Sequence, residues 1–182
     1  MKTRQIFLFF IFVLLWNVSN SQEIKITDPP IFNMFKEYGL ISGYNFSLTD
    51  SASKFANTID VGIWRSEYVE HIVPICANTY ASITMGLSGD TFIAGPKIGG
   101  YLGMGMLCIG SEMTAYTDFT DYNFFFTPYF GLGVSNYRIT IGANIQATNE
   151  KFMPVNKLML SLTMQLVSLK TTKVEDLLSP TN

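Results

Sequence analysis

Charge is scarce in this sequence. Lys, Arg, Asp and Glu together make up 14% of it, where a soluble domain carries roughly a quarter. The formal net charge is −2 and no basic cluster occurs, which excludes an electrostatic nucleic-acid interface. One His and two Cys are present, and no His, Cys and carboxylate set has metal-ligand spacing. Heptads, solenoid-length repeats and low-complexity tracts are missing. The longest apolar run, Ile6 to Trp16, falls short of the roughly 20 residues a membrane-spanning helix needs.

That run has another reading. Lys2 and Arg4 precede it, and Ser19 and Ser21 follow at the −3 and −1 spacing of a cleavage site. A basic start, an apolar stretch of roughly 7–15 residues and small residues at the end describe a secretory signal peptide. Residues 1–21 are therefore expected to be removed, with Gln22 the mature N-terminus. No Cys stands near the site, so lipid anchoring is not suggested. Residues 22–35 contain Asp28-Pro29-Pro30, which suits neither a helix nor a central strand, and read as an extended lead-in.

The chain from 36 to 170 alternates. From Asn123 to Val134, Phe124, Phe126, Pro128, Phe130, Leu132 and Val134 share one face against Asn123, Phe125, Thr127, Tyr129, Gly131 and Gly133. After Ser135-Asn136, Tyr137, Ile139, Ile141, Ala143, Ile145 and Ala147 alternate against Arg138, Thr140, Gly142, Asn144 and Gln146. Period two means β-strand, and a short polar turn between two such runs means a hairpin. Six further runs behave alike: Lys36–Leu48, Phe55–Ser66, Ala77–Ser88, Thr91–Leu102, Gly105–Thr117 and Lys157–Leu169. Residues 171–182 are polar and read as a tail.

Eight long antiparallel strands with short connections predict a closed up-and-down barrel, because closure removes exposed edges. Alternation fits both a soluble barrel around an apolar ligand and a membrane barrel with lipid outside, so the polar face decides. It is rich in Gly, Ser, Thr, Asn and Tyr, with about one charge per strand. A soluble exterior carries many Lys and Glu. Small polar residues suit the crowded interior of eight strands. Runs of about 11–13 residues exceed the usual strand length of roughly 5–6 and match a tilted membrane crossing. The expected fold is all-β, an eight-stranded antiparallel up-and-down transmembrane β-barrel.

Together with the signal peptide and the glycine-punctuated stretch Phe92 to Tyr101, these strands resemble the small bacterial outer-membrane β-barrel domain family, of OmpA/OmpX-type architecture. The resemblance covers most of the mature chain. It implies a monomer in the bacterial outer membrane, with periplasmic termini. The implied partners are membrane lipid, lipopolysaccharide, and the barrel-assembly and periplasmic chaperone machinery. The aromatic residue that often ends the last strand of such barrels is absent here, where Leu169-Lys170 stands. Surface loops would fall near Thr49–Lys54, Ser88–Asp90, Asp118–Tyr122 and Thr148–Asn156, all short. Glu67–Ile75 is the longest expected connection and would face the periplasm.

Five charges are expected inside: Asp60, Lys97 and Glu112 at mid-strand depth, Glu37 and Arg138 nearer the periplasmic end. Buried charges are costly unless paired. The expectation is Lys97 bridging Glu112 and Asp60, with Arg138 near Glu37. Tyr80, Tyr101, Tyr116, Tyr129 and Trp64 fill the same space, so a static polar plug is favoured over a gated ion path. No catalytic residue, cofactor site or metal site is expected. His71 is the lone His, with no oriented nucleophile beside it. Gly100, Gly103 and Gly105 do not form the dinucleotide pattern, and Gly62-Ile63-Trp64 is only a three-residue match to a lipocalin signature. Cys76 and Cys108 face inward on strands separated by a third. That puts their Cα atoms beyond the roughly 7 Å a disulfide tolerates, unless Cys76 sits on a turn.

Overall fold

Hydrogen-bonded pairing turns the alternation into a ring. The computed structural model describes residues 33–48, 57–70, 73–88, 91–134, 136–148 and 152–174. The stretches 1–21 and 22–32, His71 and the Thr49–Lys54 loop lie outside them. Nine strands are formed among the described residues: β1 Asn33–Ser47, β2 Asn57–Glu70, β3 Ile75–Ser88, β4 Thr91–Met104, β5 Leu107–Thr117, β6 Tyr122–Val134, β7 Tyr137–Ala143, β8 Ile145–Gln146 and β9 Leu158–Lys173. All pairings are antiparallel. Each of β2 to β7 pairs with the strand before it, and β9 pairs with both β7 and β1, which closes the circuit. β7 and β8 occupy one position in the ring, interrupted at Asn144, so eight strand positions surround the interior. No α-helix occurs among the described residues.

The ladders define a stagger. Starting at Glu37 and stepping across partners leads to Ser66, Asn78, Tyr101, Gly110, Tyr129, Gly142, Met159 and back to β1 at Ser47. The circuit returns ten residues further along the same strand. Such a stagger tilts the strands by roughly 40° to the ring axis. It also lets inward side chains from different strands meet at one level.

Polarity is inverted relative to a water-soluble domain. On β2, Thr58, Asp60 and Trp64 are buried, whereas Ile59, Val61 and Ile63 are 51%, 50% and 58% exposed. The same division holds on β5, where Leu107, Ile109 and Met113 face out and Cys108, Glu112, Thr114 and Tyr116 face in. Large apolar residues thus cover the outside of every ring position, far beyond the apolar patches of monomeric soluble proteins.

The strands depart from the sequence reading chiefly in three places, besides a β4 that ends at Met104 and a β5 that starts at Leu107. β2 runs to Glu70 and β3 starts at Ile75, so the expected long connection Glu67–Ile75 is mostly strand, with Tyr68 opposite Cys76 and Val69 opposite Ile75. β1 starts at Asn33, inside the stretch read as lead-in, and β9 continues to Lys173, past the boundary at Lys170. These ends pair with each other, Phe35 opposite Lys173. The third difference is the break at Asn144. Its backbone N–H donates to the Lys157 carbonyl at 2.7 Å, and its side chain accepts from Thr127 Oγ1 and donates to the Asn156 carbonyl.

The long connection instead lies between β8 and β9, and it closes one mouth of the ring. Val155 inserts beside Ile93, Tyr116 and Phe125, with Phe152 packed against them. Asn123 Nδ2 donates to the Phe152 carbonyl at 2.6 Å, and Asn156 Nδ2 to the Leu48 carbonyl.

The β5–β6 turn is small and self-supporting. Asp118 Oδ1 accepts from the backbone N–H of Thr120 and Asp121 at 2.9 and 2.7 Å, and these bonds hold its pKa below the usual carboxylate range. The bonds favour the charged form, so their contribution is complete above the unfolded pKa and fades as pH falls through the lowered one. Protection of the Thr120 and Asp121 amides, measured relative to their intrinsic exchange rates, is expected to fall on acidification, an effect Asp118→Ala should abolish.

Candidate functional site

The ring interior is the only place where charge, burial and geometry converge among the described residues. Its centre is Lys97, which is 1% exposed. Gly95 and Gly99 flank it on the inward face of β4, and Tyr80 and Glu112 occupy the place a Gly99 side chain would take. Nζ lies 2.8 Å from Asp60 Oδ2 on β2 and 3.2 Å from Glu112 Oε1 on β5. The three residues expected at one depth are therefore brought together. The Asp60 carboxylate also accepts from Asn45 Nδ2 at 2.9 Å, and Asn45 donates in addition to Thr58 Oγ1.

From Glu112 the network continues through tyrosines. Tyr80 OH donates to Glu112 Oε2 at 2.7 Å and lies 3.3 Å from Tyr129 OH. Arg138 Nη1 donates to Tyr129 OH at 2.8 Å. Tyr129 OH also contacts the Gly100 carbonyl, at 3.1 Å. The guanidinium carbon sits 4.4, 4.8 and 5.0 Å from the ring centroids of Tyr80, Tyr101 and Tyr129. Cation–π attraction strengthens when the ring face and the cation are both withdrawn from water. Two cations and two carboxylates balance along this path, so the network from Asp60 to Arg138 is neutral.

Arg138 does not pair with Glu37, contrary to the sequence-based expectation. Glu37 Oε1 instead accepts from Gln165 Nε2 at 2.7 Å, nearer the end where β1 begins. Arg138 is held by three aromatic faces and one phenol while its Nε has no hydrogen-bond partner among the described residues, and its charge is balanced through Tyr80 by Glu112. Sequence reading places the tyrosines inside only as filler and misses their role as a cage. The available signal is that Tyr80, Tyr101 and Tyr129 share the inward face with Arg138 on neighbouring strands.

Replacing Arg138 by Lys keeps the charge but loses the planar stacking and the directed bond to Tyr129. The expected cost is about 1–2 kcal/mol, read as a lower urea midpoint of the folded protein.

Cys76 and Cys108 are buried and unbonded. They flank Gly103, which pairs with Cys76 on one side and Cys108 on the other. The Cys76 Sγ occupies the place a Gly103 side chain would take, 2.5 Å from its ideal Cβ. One intervening strand separates the two Cα atoms by about 9–10 Å, too far for a disulfide. Among the described residues, no group of three or more His, Cys, Asp and Glu is placed to hold a metal.

The interior is therefore a cross-linked polar core. Trp64, Ile41, Tyr101 and the two Cys pack its lower part, and the Val155 cluster seals the opposite mouth. No family model matches the sequence, and neither the curated proteins nor the solved structures contain a match.

Proposed function

We propose that this chain is an integral outer-membrane β-barrel protein with a closed, side-chain-filled lumen and a structural or interaction role rather than a catalytic one. The observation that carries the proposal is the inverted polarity. Lys97, Asp60, Glu112 and Arg138 are buried inside the ring while Ile, Leu, Met and Phe side chains cover its outside. In water that arrangement exposes apolar area with no compensating solvent; in a bilayer the same faces meet hydrocarbon. Strands of 14 residues such as β2 to β4 exceed the roughly 9–11 a tilted crossing requires. The charged outward residues Lys36, Arg65 and Glu67 gather near the end that holds the termini, where a membrane–water boundary would fall.

The lumen supports the non-conducting reading over a narrow channel. Eight strands leave room only for side chains, and here Lys97, Tyr80, Tyr129 and Arg138 bridge the interior from wall to wall. A soluble carrier of an apolar ligand would need an apolar, open interior, the reverse of this one. The architectural likeness to small outer-membrane barrels also suggests lipid, lipopolysaccharide and assembly factors as partners.

The test is envelope fractionation of cells expressing the full chain, with gel migration before and after boiling. Outer-membrane recovery with heat-modifiable migration is expected. Recovery as a soluble periplasmic or secreted protein would overturn the proposal. Planar-bilayer recording of the purified protein addresses the plug: steady ion conductance would replace the closed lumen by a channel.

A further inference from the structure

The outer wall carries one row with small side chains at its centre. Register places Tyr38, Arg65, Thr79, Gly100, Ser111 and Pro128 side by side across β1 to β6. Thr79, Gly100 and Ser111 form its floor. The neighbouring row toward the loops contains Ile98, Met113 and Phe126; the row toward the termini contains Leu102, Ile109 and Phe130. These six walls are 42–66% exposed, so they stand proud of the floor. The result is a recess of about 620 Å³ reaching from Arg65 and Glu67 across Thr79 and Gly100 to Ser111. A second recess of about 390 Å³ adjoins it over the same floor and extends to Met113 and Phe126.

The recess has a polar end. Arg65 pairs with Glu67, and Lys36 Nζ lies 3.6 Å from the same carboxylate. Two cations against one anion leave one positive charge at the mouth. From there the row runs three strand spacings to Ser111, and the adjoining recess carries the trough one more to Phe126 on β6, about 19 Å in all. With the strands tilted by roughly 40°, the row climbs at that angle and gains about 12 Å of depth, close to the roughly 15 Å of one hydrocarbon leaflet.

We propose that this trough seats one acyl chain of an anionic glycerophospholipid from the leaflet at the terminal end of the ring, with Arg65 and Lys36 holding its phosphate. The inference rests on the membrane reading above. Length, slope and charge act together: the small floor admits a chain, tall rows flank it over β4 to β6 with Ala77 and Ala81 beside Thr79 on β3, and the cations meet the headgroup at the boundary. Charge-assisted bonds from a guanidinium to phosphate are short and directional, which favours an anionic headgroup over a zwitterionic one of the same chain length.

The test uses the full chain inserted into vesicles, then released in mild detergent with phosphatidylglycerol or phosphatidylcholine and weighed by native mass spectrometry. Thr79→Leu with Ser111→Leu fills the floor without touching the interior; Arg65→Gln removes the guanidinium. Heat-modifiable migration of each variant reports folding. The expected result is a one-to-one phosphatidylglycerol adduct, weaker by roughly tenfold in Arg65→Gln and lost in the filled variant. Equal adducts with both lipids, or adducts unmoved by filling the floor, would overturn the seat while leaving the membrane reading intact. A dimer mass abolished by the filled variant would also overturn it, assigning the trough to a second copy. Failure of the wild type to insert into vesicles would remove the membrane reading, and the seat with it.

Discussion

Lys97→Met is expected to destabilise the protein by about 3–5 kcal/mol, the usual consequence of removing one partner from a buried ionic group. The lysine is the only cation in contact with Asp60 and Glu112 among the described residues. Methionine fills most of the volume, so packing alone would change stability little. What remains is two buried carboxylates facing one another across the interior. Asn45 still donates to Asp60 Oδ2 and Tyr80 to Glu112 Oε2, which supplies no charge and leaves the other oxygen of each carboxylate without a donor among the described residues. The triple variant Lys97→Met, Asp60→Asn, Glu112→Gln separates the two contributions. Replacing the entire group by neutral residues is often close to neutral, so it should recover most of the loss. Equilibrium urea titration in lipid vesicles measures both. A Lys97→Met midpoint equal to wild type would mean that the bridge contributes nothing.

The bridge is legible in the amino-acid sequence because it depends on parity and depth alone. Asp60, Lys97 and Glu112 sit at inward positions near the middle of their strands, and strand tilt brings them to one depth although register sets Asp60 opposite Thr84 and Lys97 opposite Ser82 and Thr114. Arg138 is not legible in the same way. Its level relative to Glu37 depends on the ten-residue stagger and on how β9 meets β1. That ladder contains two irregularities, between Tyr38 and Gly39 and between Leu40 and Ile41, each adding a residue on β9. No local pattern announces such a shift, because side chains near Leu166 and Leu169 are apolar on both parities. The rim of β2 is obscured for a related reason. Beyond Arg65 the outward face turns charged, at Glu67, and alternation of apolar with polar residues ceases even though the ladder continues to Val69.

The break at Asn144 and the plug at Val155 lie on the non-local side as well. Alternation runs undisturbed through Ile141, Ala143, Ile145 and Ala147, so periodicity predicts one strand. The interruption comes from the 152–157 segment, whose Asn156 and Lys157 carbonyls take the Asn144 hydrogen bonds. That segment has no period of its own. Val155, fully buried within it, is recognisable only once the mouth it closes is in place.

Val61→Arg gives the second large effect, and it separates a lipid-facing wall from a water-facing one. Val61 is the middle of the outward triad Ile59, Val61 and Ile63 on β2 and is half exposed. In water an arginine there would meet solvent, and surface substitutions of that kind stay within about 0.5 kcal/mol. In a bilayer the same guanidinium enters hydrocarbon, and the cost for an outward cation near the midplane is about 2–4 kcal/mol. Met106→Arg serves as the depth control. Met106 lies in the β4–β5 turn at the terminal end, exposed and outside the strands, where the expected cost falls to about 0–1 kcal/mol. Folding into vesicles, followed by urea titration and heat-modifiable migration, should therefore rank wild type and Met106→Arg close together and Val61→Arg well below. Equal stability for all three would mean that the apolar wall does not face lipid. The Lys97 network would then be the core of a soluble ring whose exterior requires a different covering. Because Val61 touches neither the interior charges nor the trough, a loss confined to it in lipid can be ascribed to solvent alone.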